Sequence, residues 1–122
     1  MNKEFEVFWN FYAAEDHGIG APAVSGDNPV RMTLGAVCEE LLPQLHFASD
    51  DFFGIVDASD TTLQVSVIKD EERFWVEIPS VEAQGSYGKE CDRNELMCIY
   101  RNVQEKISVS DYPDFQFEAW KH

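Results

Sequence analysis

Residues 61–78, Thr61-Thr62-Leu63-Gln64-Val65-Ser66-Val67-Ile68-Lys69-Asp70-Glu71-Glu72-Arg73-Phe74-Trp75-Val76-Glu77-Ile78, decide the fold class. Leu63, Val65 and Val67 alternate with Gln64 and Ser66, a polar tip follows, and Phe74, Val76 and Ile78 alternate with Trp75 and Glu77. A two-residue period on both sides of a short polar turn puts all the large apolar side chains on one face, the pattern of an antiparallel hairpin with one face buried. Upstream, Phe52-Phe53-Gly54-Ile55-Val56 reads as a further strand, turned by Asp57-Ala58-Ser59-Asp60, and Pro79 closes the meander.

Outward from this centre, Phe5, Val7, Trp9 and Phe11 share one side of a first strand. The stretch 13–27 holds Gly18, Gly20, Pro22 and Gly26 and reads as a loop. Asn28-Pro29 reads as an N-cap with proline at the first helical position, and Val30, Leu34, Val37, Leu41 and Leu45 form one helical stripe that Pro43 ends or kinks near Leu42. Residues 82–89, with Gly85 and Gly88, read as a loop. Asp92 followed by Glu95 has capping-box spacing for a second helix over 92–107, faced by Leu96, Ile99, Val103 and Ile107 with Tyr100 beside them. Phe115 to Trp120 is a last strand. The expectation is an α+β fold in the order β-α-β-β-β-α-β: a single antiparallel sheet of about five strands, with helices near 29–45 and 92–107 on one face. The length, 122 residues, fits one domain over 1–122, and by surface scaling about two-thirds of the chain's surface is buried on folding.

Charge narrows the function. Asp and Glu number 23 against 9 Lys and Arg, for a formal net charge of −14. Between Glu4 and Ile68 stand eleven acids and one base, Arg31. A free-standing sequence-specific reader of nucleic acid needs the opposite sign, so direct nucleic-acid binding is not expected. No apolar run reaches the length of a membrane span, and the N-terminal residues show no apolar signal-peptide core, so neither membrane nor secretion is expected. Three cysteines, Cys38, Cys91 and Cys98, are a sparse and odd set that fits reduced thiols in a cytoplasmic protein.

Catalytic and cofactor motifs are wanting. His17, His46 and His122 stand in no metal-ligand spacing, Gly18-Ile19-Gly20 is not a dinucleotide fingerprint, and Asp57-Ala58-Ser59-Asp60 lacks the glycine and distal glutamate of a calcium loop. Cys38 and Cys98, in apolar helical stretches, read as small core residues. Cys91, just before a helix N-terminus, is the one candidate nucleophile, because that position lowers a thiol's pKa. The expectation is a protein that is not an enzyme and holds no cofactor or metal. The alternatives are a small enzyme using Cys91 or a carboxylate, and an adaptor or oligomeric domain whose acidity serves solubility. Trp75, opposite in alternation to Phe74 and Val76, is either covered by a terminus or loop or is an interface anchor.

Phe74-Trp75-Val76-Glu77-Ile78-Pro79, then Gly85-Ser86-Tyr87-Gly88-Lys89, then Arg93-Asn94-Glu95-Leu96 form a strand–loop–helix module. In a small, acidic α+β chain without catalytic motifs, this module resembles the immunity proteins of bacterial contact-dependent inhibition and related polymorphic-toxin systems. The resemblance implies a cytoplasmic protein that binds a cognate toxin domain, often a basic nuclease, and blocks its active or substrate-binding surface. Such proteins share no catalytic motif, so the resemblance assigns no site residue. From the charge pattern itself, Asp50, Asp51, Asp57, Asp60, Asp70, Glu71 and Glu72, at the ends and turns of the meander, together with Trp75, are the expected partner-binding residues.

Overall fold

The computed structural model describes residues 3–10, 29–45, 51–68 and 71–120. The fold is α+β: one antiparallel sheet with two helical segments, and the sheet has seven strands rather than about five. The strands are β1 (Glu4–Asn10), β2 (Val30–Thr33), β3 (Phe52–Val56), β4 (Thr62–Ile68), β5 (Arg73–Ser80), β6 (Gly85–Cys91) and β7 (Gln116–Ala119), lying side by side in the order β2-β1-β3-β4-β5-β6-β7. From β3 onward each strand pairs with the next in sequence, so this part of the sheet is a continuous meander.

Two expectations are corrected. Val30–Thr33 does not open a helix at Pro29 but forms the edge strand β2, with Val7 opposite Val30 and Phe5 opposite Met32. The first helical segment, α1, begins one residue later. Thr33 is its N-cap and accepts a hydrogen bond from Ala36 N at 3.2 Å. The segment 34–44 runs as one α-turn (Leu34–Ala36), a wider π-turn (Val37–Leu41) and a 3-10 turn (Leu42–Gln44). Pro43, without an N–H to continue the ladder, stands where the segment tightens and ends. The second correction is β6. Its glycines, read as a loop, sit inside a strand because each lies under an aromatic ring. A Cβ on Gly88 would stand 2.7 Å from both Trp75 Cζ2 and Val76 O, and one on Gly85 would meet the Phe117 ring. Gly54 on β3 lies under Phe8 in the same way. Glycine in a strand interior marks such close approach.

The second helix, α2, spans Arg93–Arg101 and stops short of the expected 107. Asp92 is its N-cap, its carboxylate accepting from Glu95 N at 2.8 Å, as the sequence spacing predicts. The buried face centres on Leu96 and Tyr100, with Val103 buried just beyond the helix end, while Ile99 is only half-buried. Tyr100 is fully buried: its ring packs 5.0 Å from that of Phe53, and its hydroxyl donates to Leu63 O at 3.1 Å, which docks the helix on the centre of the sheet. Arg93 joins the two helical segments, donating to Leu42 O at 3.2 Å and Leu45 O at 3.0 Å, with its guanidinium 5.0 Å above the Phe74 ring. One core results, in which Phe5, Val7, Phe53, Ile55, Leu63, Val65, Phe74, Val76 and Ile78 from the sheet meet Leu34, Val37, Leu41 and Leu96 from the helices.

Candidate partner-binding surface

Alternation divides the sheet. The odd-numbered apolar residues of β1, β3 and β4 face the helices, as do Phe74, Val76 and Ile78. The opposite face carries Glu4, Glu6, Phe8, Phe52, Val56, Gln64, Ser66, Trp75, Glu77 and Glu90. Trp75 thus points away from the helices, as its place in the alternation predicts, and it is half-buried because its indole lies across Gly88 of the neighbouring strand. Beside it Phe52, Gln64, Ser66 and Glu77 line a shallow pocket of about 170 Å³, in which Gln64 Nε2 donates to Glu77 Oε1 at 3.3 Å.

Consecutive turns of a meander fall at opposite ends of it, so the expected acids separate into two groups. The β3–β4 turn carries Asp57 and Asp60; the β4–β5 turn carries Glu71 and Glu72. The length of β4, seven residues, puts about 20 Å between the two turns. Asp50 and Asp70 lie outside the described residues, as do His17, His46 and His122. Asp51 is fully buried beside the second turn, where its carbonyl accepts from Val67 N at 3.1 Å. Glu71, Glu72 and Asp60 are exposed.

Asp57 is turned inward. Its Oδ1 accepts from Ser59 N at 2.8 Å and Thr61 N at 2.9 Å, and its Oδ2 from Ile107 N at 2.7 Å. One buried carboxylate therefore shapes the β3–β4 turn and ties it to the segment after α2. That tie brings Glu105 beside the turn, and a cleft of about 380 Å³ opens between them, lined by Lys3, Glu4, Glu6, Arg31, Val56, Asp57, Ala58, Asp60 and Glu105. Five carboxylates here face two bases, and Arg31 is already drawn to Glu4, Nε to Oε1 at 3.6 Å. The sequence reading missed Glu4, Glu6 and Glu105. The first two were legible, since alternation puts them on one side of β1 opposite Phe5 and Val7; Glu105 is brought in only by the Asp57–Ile107 hydrogen bond.

Elsewhere Arg73 pairs with Glu90 at 4.0 Å, and Lys89 with Glu95 and, at 3.4 Å, with Asp114. The Lys89 pKa is raised, chiefly by its hydrogen bond to Glu95. Among the described residues three non-glycine residues hold the left-handed backbone region, one in each successive turn of the meander: Asp60 (φ 64°), Glu72 (φ 56°) and Gln84 (φ 53°). A glutamate is a poor occupant of that region, at a cost of about 1 kcal/mol relative to glycine.

Cys38 lies in the core as expected, whereas Cys91 and Cys98 differ from expectation. Cys91 closes β6 inside the core, fully buried, and burial pushes its pKa up to about 12, with Glu95 adding to the shift. Desolvation outweighs the helix terminus expected to lower it. Cys38 is buried and its pKa is also raised, mainly by burial, while Cys98 is exposed rather than in the core. Among the described residues no three His, Cys, Asp or Glu side chains are arranged to hold a metal ion, and no helix is long and apolar enough to cross a membrane. Compared with known proteins, the chain matches no family model, no curated protein and no solved structure.

Proposed function

We propose that this chain is an immunity-type protein that binds a cationic toxin domain and neutralises it by covering its active or substrate-binding surface. The observation that carries this reading is the excess of carboxylates on the helix-free side of the sheet and its turns. Glu4, Glu6, Asp60 and Glu105 line the cleft beside β1, where Arg31 is drawn to Glu4, and Glu71 and Glu72 stand at the far turn. A field of one sign destabilises the isolated protein and is relieved by a partner of the opposite sign. Glu72 supports the reading further: a strained backbone position that glycine would occupy at lower cost holds an exposed acid. The core position of the Cys91 thiol, with its raised pKa, favours a binding role over thiol chemistry.

The test co-expresses the chain in a bacterium with the toxin domain encoded beside it, and measures growth together with rate-resolved binding of the purified proteins at two salt concentrations. The expected result is protection from the toxin and an association rate that falls steeply with salt. Neutralising Asp60, Glu71 and Glu72 together should slow association at low salt, whereas Trp75→Ala should speed dissociation. A chain that neither protects nor forms a complex would refute the proposal.

A further inference from the structure

The sheet ends on β7, and among the described residues no strand pairs with its far side. Trp120 N donates to Gln84 O at 2.8 Å, and Ser86 stands opposite Glu118 and Gly88 opposite Gln116. In an antiparallel ladder, bonded pairs alternate, so residues 116, 118 and 120 bond to β6 while the N–H and C=O groups of Phe117 and Ala119 point outward. All four residues of β7 are exposed. Of the exposed large apolar side chains, Val81, Phe117 and Trp120 gather at this corner, 82%, 45% and 39% exposed. Phe117 leans on Tyr87 on the helix side, ring centroids 5.1 Å apart, and Trp120 Nε1 donates to Ser86 Oγ on the other side. An edge with open main-chain groups and exposed aromatics is a template for strand addition.

The charge beside this edge selects the occupant. Residues 111–122 carry three acids, Asp111, Asp114 and Glu118, all exposed, against one base, Lys121. The nearby Lys89 is held by Glu95 and Asp114. A second copy would bring a chain of net charge −14 against one of the same charge. The other edge, β2, differs: Leu34 N donates to Lys3 O, so by the same alternation its outward groups belong to Arg31 and Thr33, and this four-residue strand carries no aromatic side chain. We infer that the β7 edge captures an extended, lysine- or arginine-bearing segment of the partner as an eighth strand, with its apolar side chains beside Phe117 and its cationic ones beside Glu118. This deepens the immunity reading, from which it takes the cationic partner.

The probe is a capped Lys-Val-Lys-Val-Lys-Val-Lys peptide added to the whole chain at low salt, with backbone amide signals and their hydrogen exchange as the readout. The expected result is exchange slowed at least about tenfold at the Phe117 and Ala119 amides on saturation, and no effect from the Glu-Val counterpart. Ala119→Pro removes an outward N–H without touching the β6 ladder and should weaken binding at least about tenfold, about 1.4 kcal/mol, whereas Ala119→Val should bind as the parent does. N-methylating alternate residues of the peptide should abolish binding, a test that needs no variant to fold. Equal binding by the acidic peptide or the methylated one, or protection away from β7, overturns the assignment. So does concentration-dependent protection of Phe117 and Ala119 without peptide, which would identify a second copy as the occupant. If the toxin domain binds Ala119→Pro and the parent equally, the edge assignment fails and the immunity reading stands. If no toxin complex forms while the basic peptide still protects β7, the immunity reading fails alone.

Discussion

Replacing Asp57 with alanine should cost more stability than removing any acid on the surface. Its carboxylate accepts three backbone N–H donors, from Ser59, Thr61 and Ile107. The Ile107 bond is buried, so that amide would be left without an acceptor and without water, at a cost of about 1–3 kcal/mol. The Ser59 and Thr61 amides lie nearer solvent and recover part of their loss by hydration, leaving about 0.5–1.5 kcal/mol each. Together these give about 2–6 kcal/mol, a large share of the 5–15 kcal/mol that holds a typical domain folded. In urea, with a slope of about 1.5–2 kcal/mol per molar for a chain of this size, the midpoint should fall by about 2 M. Asp57→Asn, which keeps an oxygen for one side but turns its amide toward the other, should fall between. Asp60→Asn on the same turn should stay within about 0.5 kcal/mol of the parent, because Asp60 is exposed. A loss below about 1 kcal/mol in Asp57→Ala, with unchanged slope, would refute the assignment of this carboxylate as the tie between the turn and the segment after α2.

Other outcomes follow from the same geometry. Gly88→Ala should destabilise by about 1–3 kcal/mol in urea unfolding, because its methyl group meets both the Trp75 ring and the Val76 carbonyl; a neutral result would mean the indole does not lie across β6. Glu72→Gly should raise stability by about 0.5–1 kcal/mol by relieving a positive φ, yet slow association with a cationic partner; slower association without the gain in stability would contradict the strain argument. Alkaline pH should lower the melting temperature progressively. The Cys91 pKa is raised in the fold from 9.0 to about 12, so the unfolded chain loses this proton first, and the stabilisation present below pH 9 is lost as pH rises through the folded value. Cys91→Ala should flatten that decline when the slope is compared with the parent. In the native protein a thiol reagent should label Cys98 rapidly and Cys38 and Cys91 only on unfolding, as peptide mass mapping would show.

The parts of the fold legible in the sequence are those in which a residue's neighbours along the chain decide its state. The alternation at 63–67 and 74–78 specified two strands and their buried face. The Asp92–Glu95 spacing specified a helix start. β6 was hidden because Gly85, Ser86, Gly88 and Lys89 have the local chemistry of a turn; what makes them a strand is the Phe117 and Trp75 rings lying over the two glycines, partners 32 and 13 residues away in sequence. β2 was hidden because Val30 and Met32 fit a helical stripe as well as a four-residue edge strand. In the candidate surface, the exposure of Glu71, Glu72 and Asp60 was legible from turn position. That the two turns stand at opposite ends of the sheet was equally implicit in the succession of hairpins. The inward turn of Asp57 was not, because its distant partner, Ile107, lies across the fold.

The strand order also has a kinetic consequence. From β3 to β6 every pairing joins strands linked by a short turn, so this part of the meander assembles by closing short loops, and β7 joins it across the α2 connection. The β1–β3 ladder is different: it brings Asn10 opposite Phe52, closing a loop of some 40 residues that also contains β2 and α1. Loop-closure entropy and contact order both put such a pairing late. The meander with α2 is then the natural folding nucleus, and β1, β2 and α1 dock as a second unit after the rate-limiting step. Both carboxyl oxygens of Asp57 bond within that early half, so the turn that shapes the acidic cleft is set before Glu4 and Glu6 arrive to complete it.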